Sequence, residues 1–141
     1  MRASAVRTAI KTAIEAITPD TRYHAGDSFR VLEPGLERLT VDRAVMLERS
    51  RPQEPAERLL MTADPYAITF EMIVNFSNTP GVSDRLLDDC DLIVDALLEL
   101  PVTNAQILQV KIMGGGDAID ETGNRAVIYS LTVFYDRRTP A

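Results

Sequence analysis

The run Tyr66-Ala67-Ile68-Thr69-Phe70-Glu71-Met72-Ile73-Val74-Asn75-Phe76 alternates almost without a break. In an extended chain Tyr66, Ile68, Phe70, Met72, Val74 and Phe76 point one way, and Thr69, Glu71 and Asn75 the other. The pattern predicts a long strand with one face in a core.

Reading onward, Ser77 to Gly81 is a turn and Val82 to Leu100 a helix. Leu86, Leu87, Cys90, Ile93, Val94, Leu97 and Leu98 form its expected buried stripe. Pro101 is expected to terminate it, because proline lacks the amide donor that a continuing helix needs. Ile107 to Met113 then alternates Leu108, Val110 and Ile112 against Gln109 and Lys111. Gly114, Gly115 and Gly116 open a polar loop expected to run to Asn124 as a flexible hairpin tip. The last strand covers residues 126 to 135, is apolar on both faces for much of its length, and is expected inside the sheet as the hairpin partner of the one before.

Reading backward, residues 50 to 65 hold Pro52, Pro55 and Pro65, so no central strand crosses them. Within this long connection Leu59, Leu60 and Met61 offer apolar side chains either to the domain's own core or to a partner. Leu39 to Arg49 reads as a strand, interrupted by Arg43. Residues 20 to 37 read as a loop with a short strand at most, around Phe29, Val31 and Leu32. Ala3 to Ile17 is an amphipathic helix, with Val6, Ile10, Ile14 and Ile17 on one side and Arg2, Arg7, Lys11 and Glu15 on the other. The order gives an α+β class: a two-layer domain, residues 1 to 141, with a mixed or antiparallel sheet of about four to five strands packed by two amphipathic helices.

The chain has 141 residues, 45% hydrophobic and 26% charged, which suits one ordinary domain. A net charge of -6 argues against a protein held on duplex DNA by a basic face. It is compatible with a surface past which DNA slides without adhering. One cysteine makes no internal disulfide, and no apolar run reaches the roughly 18 residues of a membrane span. A protein folded in the cytoplasm, with no membrane association, is expected.

No residue set reads as a catalytic centre, and no cofactor or metal is called for. His24 is the single histidine, too few for a histidine triad or a multi-histidine metal site. Cys90 falls on an apolar stripe, where a buried inert thiol is usual. The triple glycine with Asp117, Asp120 and Glu121 lacks the following helix of a phosphate loop and the ligand count of a calcium loop. The strongest charge pattern is on the second helix. There Asp84, Asp88, Asp91, Asp95 and Glu99 follow at intervals of four, three, four and four, and with Asp89 they face a single base, Arg85. Like charges so spaced repel, and those near the helix's carboxyl end oppose its dipole. The face is either a solvated surface or one that meets basic partners or lines a passage for nucleic acid.

With this order of elements, the chain resembles the tail terminator proteins of long-tailed bacteriophages, the family of the lambda minor tail protein U. The likeness is carried by the opening helix Val6 to Ile17, the strand Ala67 to Phe76, the Asp-rich helix ending Leu97-Leu98-Glu99-Leu100, and the closing strand Tyr129-Ser130-Leu131-Thr132-Val133-Phe134-Tyr135. It implies a non-enzymatic virion subunit that forms a homo-oligomeric ring, a hexamer, on the head-proximal end of the tail tube. Such a ring ends tube polymerisation, contacts the tail tube protein and the head completion protein, and lets DNA pass through its lumen. The family motif transfers no residue roles. From the residues themselves, the acidic helix is the candidate lumen face, and Leu59, Leu60 and Met61 with Asp117 and Asp120 mark candidate ring or tube contacts. Other readings are another neck or tail-tube-like component, a non-viral cytoplasmic protein-binding module, and a small enzyme with an interface site built from Asp117, Asp120 and a neighbour's Arg125.

Overall fold

The computed structural model describes residues 1–18, 28–32, 42–48, 54–55, 64–121 and 123–138. Its elements are α1 (Ala3–Glu15), β1 (Arg30–Leu32), β2 (Ala44–Glu48), β3 (Glu54–Pro55), β4 (Pro65–Phe76), α2 (Val82–Leu98), α3 (Leu100–Thr103), β5 (Ile107–Ile119) and β6 (Arg125–Asp136). The class is α+β. The sheet is mixed, in the order β1-β2-β4-β6-β5, with the two-residue β3 pairing with β4 beside this path.

The alternating run is the middle strand of that order. Val74 lies opposite Val45 of β2 on one side and Val127 of β6 on the other, both antiparallel. β1 pairs with β2 in parallel and makes the sheet mixed. The last strand in sequence lies inside the sheet, between β4 and β5.

Every second side chain of β4 from Ile68 to Phe76 enters one core with α1 and α2. From α1 come Val6, Ile10 and Ile14, one turn apart and fully buried. At roughly 1.5–3 kcal/mol for each such side chain removed from water, this seam suffices to hold the helix on the sheet. A smaller buried cluster, Leu32, Ala44 and Met46, lies on the opposite face of β1 and β2.

Five local expectations are corrected. α1 ends at Glu15, short of Ile17. The second strand begins at Ala44, because Arg43 adopts a left-handed turn conformation with φ 57°. Leu39, Val41 and Arg49 lie outside the described residues. α2 stops at Leu98, and Pro101 falls within the first turn of α3, where a missing amide hydrogen costs nothing. The glycine run is strand: β5 continues through Gly114, Gly115 and Gly116 to Ile119. It does so by a bulge, with Gly114 opposite Tyr129 and Gly116 opposite Ile128, so Gly115 is the extra residue. Gly116 supplies the φ of 122° that this bend requires. A second bulge makes Leu108 the extra residue between Ile107 and Gln109, which takes Leu108 off the face it was expected to share with Val110.

Candidate functional site

Helix α2 runs along the surface with two different flanks. Its buried side chains are Val82, Arg85, Asp89, Cys90, Ile93 and Leu97. Two of these are charged, and they rotate the buried stripe away from the one expected. Leu87 and Leu98 are corrected from buried to exposed, at 62% and 50%, while Leu86 and Val94 are half-buried. Asp84, Asp91, Asp95 and Glu99 are exposed, whereas Asp88 is half-buried. Asp88 and Asp91 line a cleft of about 320 Å³ with Thr18 and Leu92, where the end of α1 approaches α2.

Beneath this surface lie two buried ion pairs that the periodicity did not reveal. Arg43 donates from Nε to Asp89 Oδ2 at 2.7 Å and from Nη2 to Oδ1 at 3.3 Å, with both side chains fully buried. Arg85 donates from Nη1 to both oxygens of Asp42 at 2.8 and 2.7 Å, and from Nη2 to the Ser77 carbonyl at 3.0 Å. Phe29 and Phe76 lie under the two guanidinium groups at 5.7 and 5.5 Å. The Arg85 Nε–H is buried with no hydrogen-bond partner among the described residues. Asp42 and Arg43 are adjacent in the turn before β2, and Arg85 and Asp89 are one helical turn apart on α2, so two short segments exchange two charge pairs. The sequence signal was there: opposite charges at i, i+4 on a helix together with an Asp-Arg dipeptide at a strand entrance. This pairing pins the amino-terminal half of α2 to β2 and so fixes the direction of its outer flanks.

The β5–β6 hairpin is the second candidate region. Asp117 lies opposite Val127, and both Asp117 and Asp120 are exposed. Asp120 works locally: its Oδ1 accepts from the Asn124 N–H at 2.9 Å, while its own N–H donates to the Asn124 carbonyl at 2.9 Å. Asn124 Oδ1 in turn accepts from the Asn78 N–H at 2.8 Å. The tip is therefore tied to the turn ahead of α2.

The structure brings the acidic helix and the hairpin together around Cys90 and Tyr129, which hydrogen-bond to each other. Burial pushes the Cys90 thiol up to about 11, against the lowering effect of the Tyr129 hydrogen bond and with the help of Asp89, Asp91 and Asp117. Tyr129 is also raised, chiefly by burial, then by the bond to Cys90 and the charges of Asp91 and Asp117. Such a thiol is protonated and inert at neutral pH.

On the sheet face away from the helices, a groove of about 620 Å³ is lined by Thr69, Glu71, Gly115, Ile128 and Ser130, among others. Among the described residues, no group of three or more His, Cys, Asp or Glu side chains could hold a metal ion, and no helix is long and apolar enough to cross a membrane. Leu59, Leu60, Met61 and His24 lie outside the described residues. No protein-family model matches the chain, and no match to it was found among curated proteins.

Proposed function

We propose that the chain is a structural virion subunit whose ring, a hexamer, caps the head-proximal end of a phage tail tube. It ends tube polymerisation there and joins the tail to the head completion proteins. The resemblance of the whole chain to tail terminators supplies this reading. The observation that carries it furthest is the presence of two unlike uncovered surfaces on one small α+β subunit. One is the outer face of α2, where exposed leucines border exposed acids. The other is the basic end where Met1 meets the close of β6, with Arg2, Arg137 and Arg138 exposed. A head-to-tail ring needs two different patches on every subunit, and closing the ring uses both up, which is how such an assembly limits its own growth.

In this reading Asp84, Asp88, Asp91, Asp95 and Glu99 face the lumen, where negative charge keeps passing DNA from adhering. The Asp117 region of the hairpin contributes to ring or tube contacts. The ring is assembled in the host cytoplasm and resides in the neck of the virion, without catalysis or cofactor.

The test is light scattering and negative-stain microscopy of the purified protein over a wide concentration range, followed by incubation with polymerising tail tubes. Closed rings with a central hole, and tubes capped at one end, are the expected result. Rings that leave tubes uncapped favour another neck component. A stable monomer that neither forms rings nor caps tubes overturns the proposal and favours a protein-binding module.

A further inference from the structure

Exposed leucines do not suit a wall that DNA only slides past, and on α2 they are not scattered. Leu87, Val94 and Leu98 follow at i, i+7 and i+11, which at about 100° per residue places them within about 40° of arc. Leu87 and Leu98 are 62% and 50% exposed, and Val102, in the turn of α3 beyond them, is 80% exposed. The stripe runs between the buried face and the acids: Asp91 and Asp84 border it, and Asp95, Asp88 and Glu99 lie further round. The helix thus has an apolar flank next to an acidic one, and only the second suits a lumen.

A partner for this flank needs basic groups beside an apolar surface, and the region of the same chain where α1 starts and β6 ends carries both. The amino group of Met1 donates to the Asp136 carbonyl at 3.0 Å, which brings the start of α1 to the end of β6. Arg2, Arg137 and Arg138 are exposed there, with Asp136 paired to Arg138. The Arg137 guanidinium lies over the ring of half-buried Tyr66 at 4.3 Å, so an aromatic face with a cation on it is presented at this end.

We propose that the Leu87–Val94–Leu98 flank of one subunit docks on the Arg2–Arg137–Tyr66 end of a second copy, as the head-to-tail contact of the ring. The inference rests on the ring reading only in taking another copy of this chain as the occupant. Apolar area gives the contact its strength, and the charge pairs fix its direction, because acid against acid forbids flank meeting flank.

The test uses two double variants of the full chain, Leu87→Lys with Leu98→Lys, and Arg2→Glu with Arg137→Glu. All four side chains are exposed or stacked at the surface, and circular dichroism checks the fold. Leu87→Ser with Leu98→Ser serves if the lysines disturb it. Each variant alone is expected to need at least tenfold more protein to assemble, as read by sedimentation velocity. Mixed in equal amounts, the two should form a one-to-one dimer that grows no further, since each retains the face the other has lost. A mixture that stays monomeric, or variants that assemble like the parent, overturns the contact. If the parent forms rings in that case, the ring reading stands and this contact alone fails. A parent that is monomeric at every concentration also overturns the contact, and tube capping then judges the ring reading separately.

Discussion

Asp89 of α2 reaches Arg43 across 46 positions of sequence and holds its guanidinium through two hydrogen bonds, with neither side chain exposed. Arg43 meets it from a left-handed backbone turn that a residue with a Cβ adopts at some cost. Two charges buried together roughly offset their own desolvation, whereas one left alone does not.

Asp89→Ala is therefore expected to destabilise the fold by about 3–5 kcal/mol, because it leaves the Arg43 charge buried and unpaired. Asp89→Leu combined with Arg43→Met should cost clearly less than the sum of the two single changes, since the pair acts as one unit. Urea unfolding of the four species in a double-mutant cycle measures the coupling. Additive losses would mean that the two residues do not support each other.

The glycines of the β5 bulge should differ sharply over a short span. Gly116→Ala forces a side chain into φ 122° and is expected to cost about 1 kcal/mol or more. Gly114→Ala meets open space at an ordinary φ and should be neutral or slightly stabilising. Thermal melts of the two variants side by side provide the check. Equal behaviour would remove the bulge as the reason for the glycine run.

Cys90 gives a reactivity and a pH prediction. With its thiol raised to about 11 from the ordinary 9.0, the thiolate fraction at pH 8 falls by roughly 100-fold, and burial slows attack further. An aromatic disulfide reagent should label the folded protein only as fast as it opens, and the urea-unfolded protein at once. Because folding holds the neutral thiol, the stability it contributes is fully present below about pH 9 and is lost as pH rises through about 11. Tyr129, raised in the same sense, adds to this alkaline loss. Urea midpoints at pH 8 and pH 10.5 report it; a flat profile would contradict the burial of the pair.

Replacing Asp88, Asp91 and Asp95 with lysine changes the lumen charge in the proposed ring from repelling to attracting DNA. Rings of the variant should retain duplex DNA at low salt and release it steeply as salt rises, with a log–log slope of about −0.9 per phosphate contact. Phage carrying the change should lose titre. Unchanged titre and no retention would place the acidic flank elsewhere than in the lumen.

Where one periodicity dominated, the fold was legible. In β4 a period of two runs over Ile68, Phe70, Met72, Val74 and Phe76, and in α1 a period near 3.6 runs over Val6, Ile10 and Ile14; all eight side chains are buried. In α2 apolar residues occur at too many angles for hydrophobicity alone to choose the buried set, and the choice was made by Arg85 and Asp89 through partners far away in sequence. Bulges at Leu108 and Gly115 defeated the reading of β5 for another reason, since one inserted residue reverses which side of a strand every later side chain takes. Of the candidate residues, Asp84, Asp91, Asp95 and Glu99 are placed at the surface as the pattern implied, but Asp88 is half-buried and Asp120 spends its carboxylate on its own turn.

The position of β6 bears on how the chain comes to be folded at all. Thr69 and Thr132 hydrogen-bond across the middle of the sheet at 2.9 Å although 63 positions separate them. The strand that completes the sheet is thus the last to be synthesised, and it must enter between two strands already made. Pairings so distant in sequence form slowly, because the entropy of closing the chain is lost before any contact rewards it. At about 5–20 residues per second, the nascent chain spends seconds with the edges of β4 and β5 bare. During those seconds it has most to gain from a chaperone, and a truncation that removes β6 would yield an aggregating fragment rather than a smaller domain.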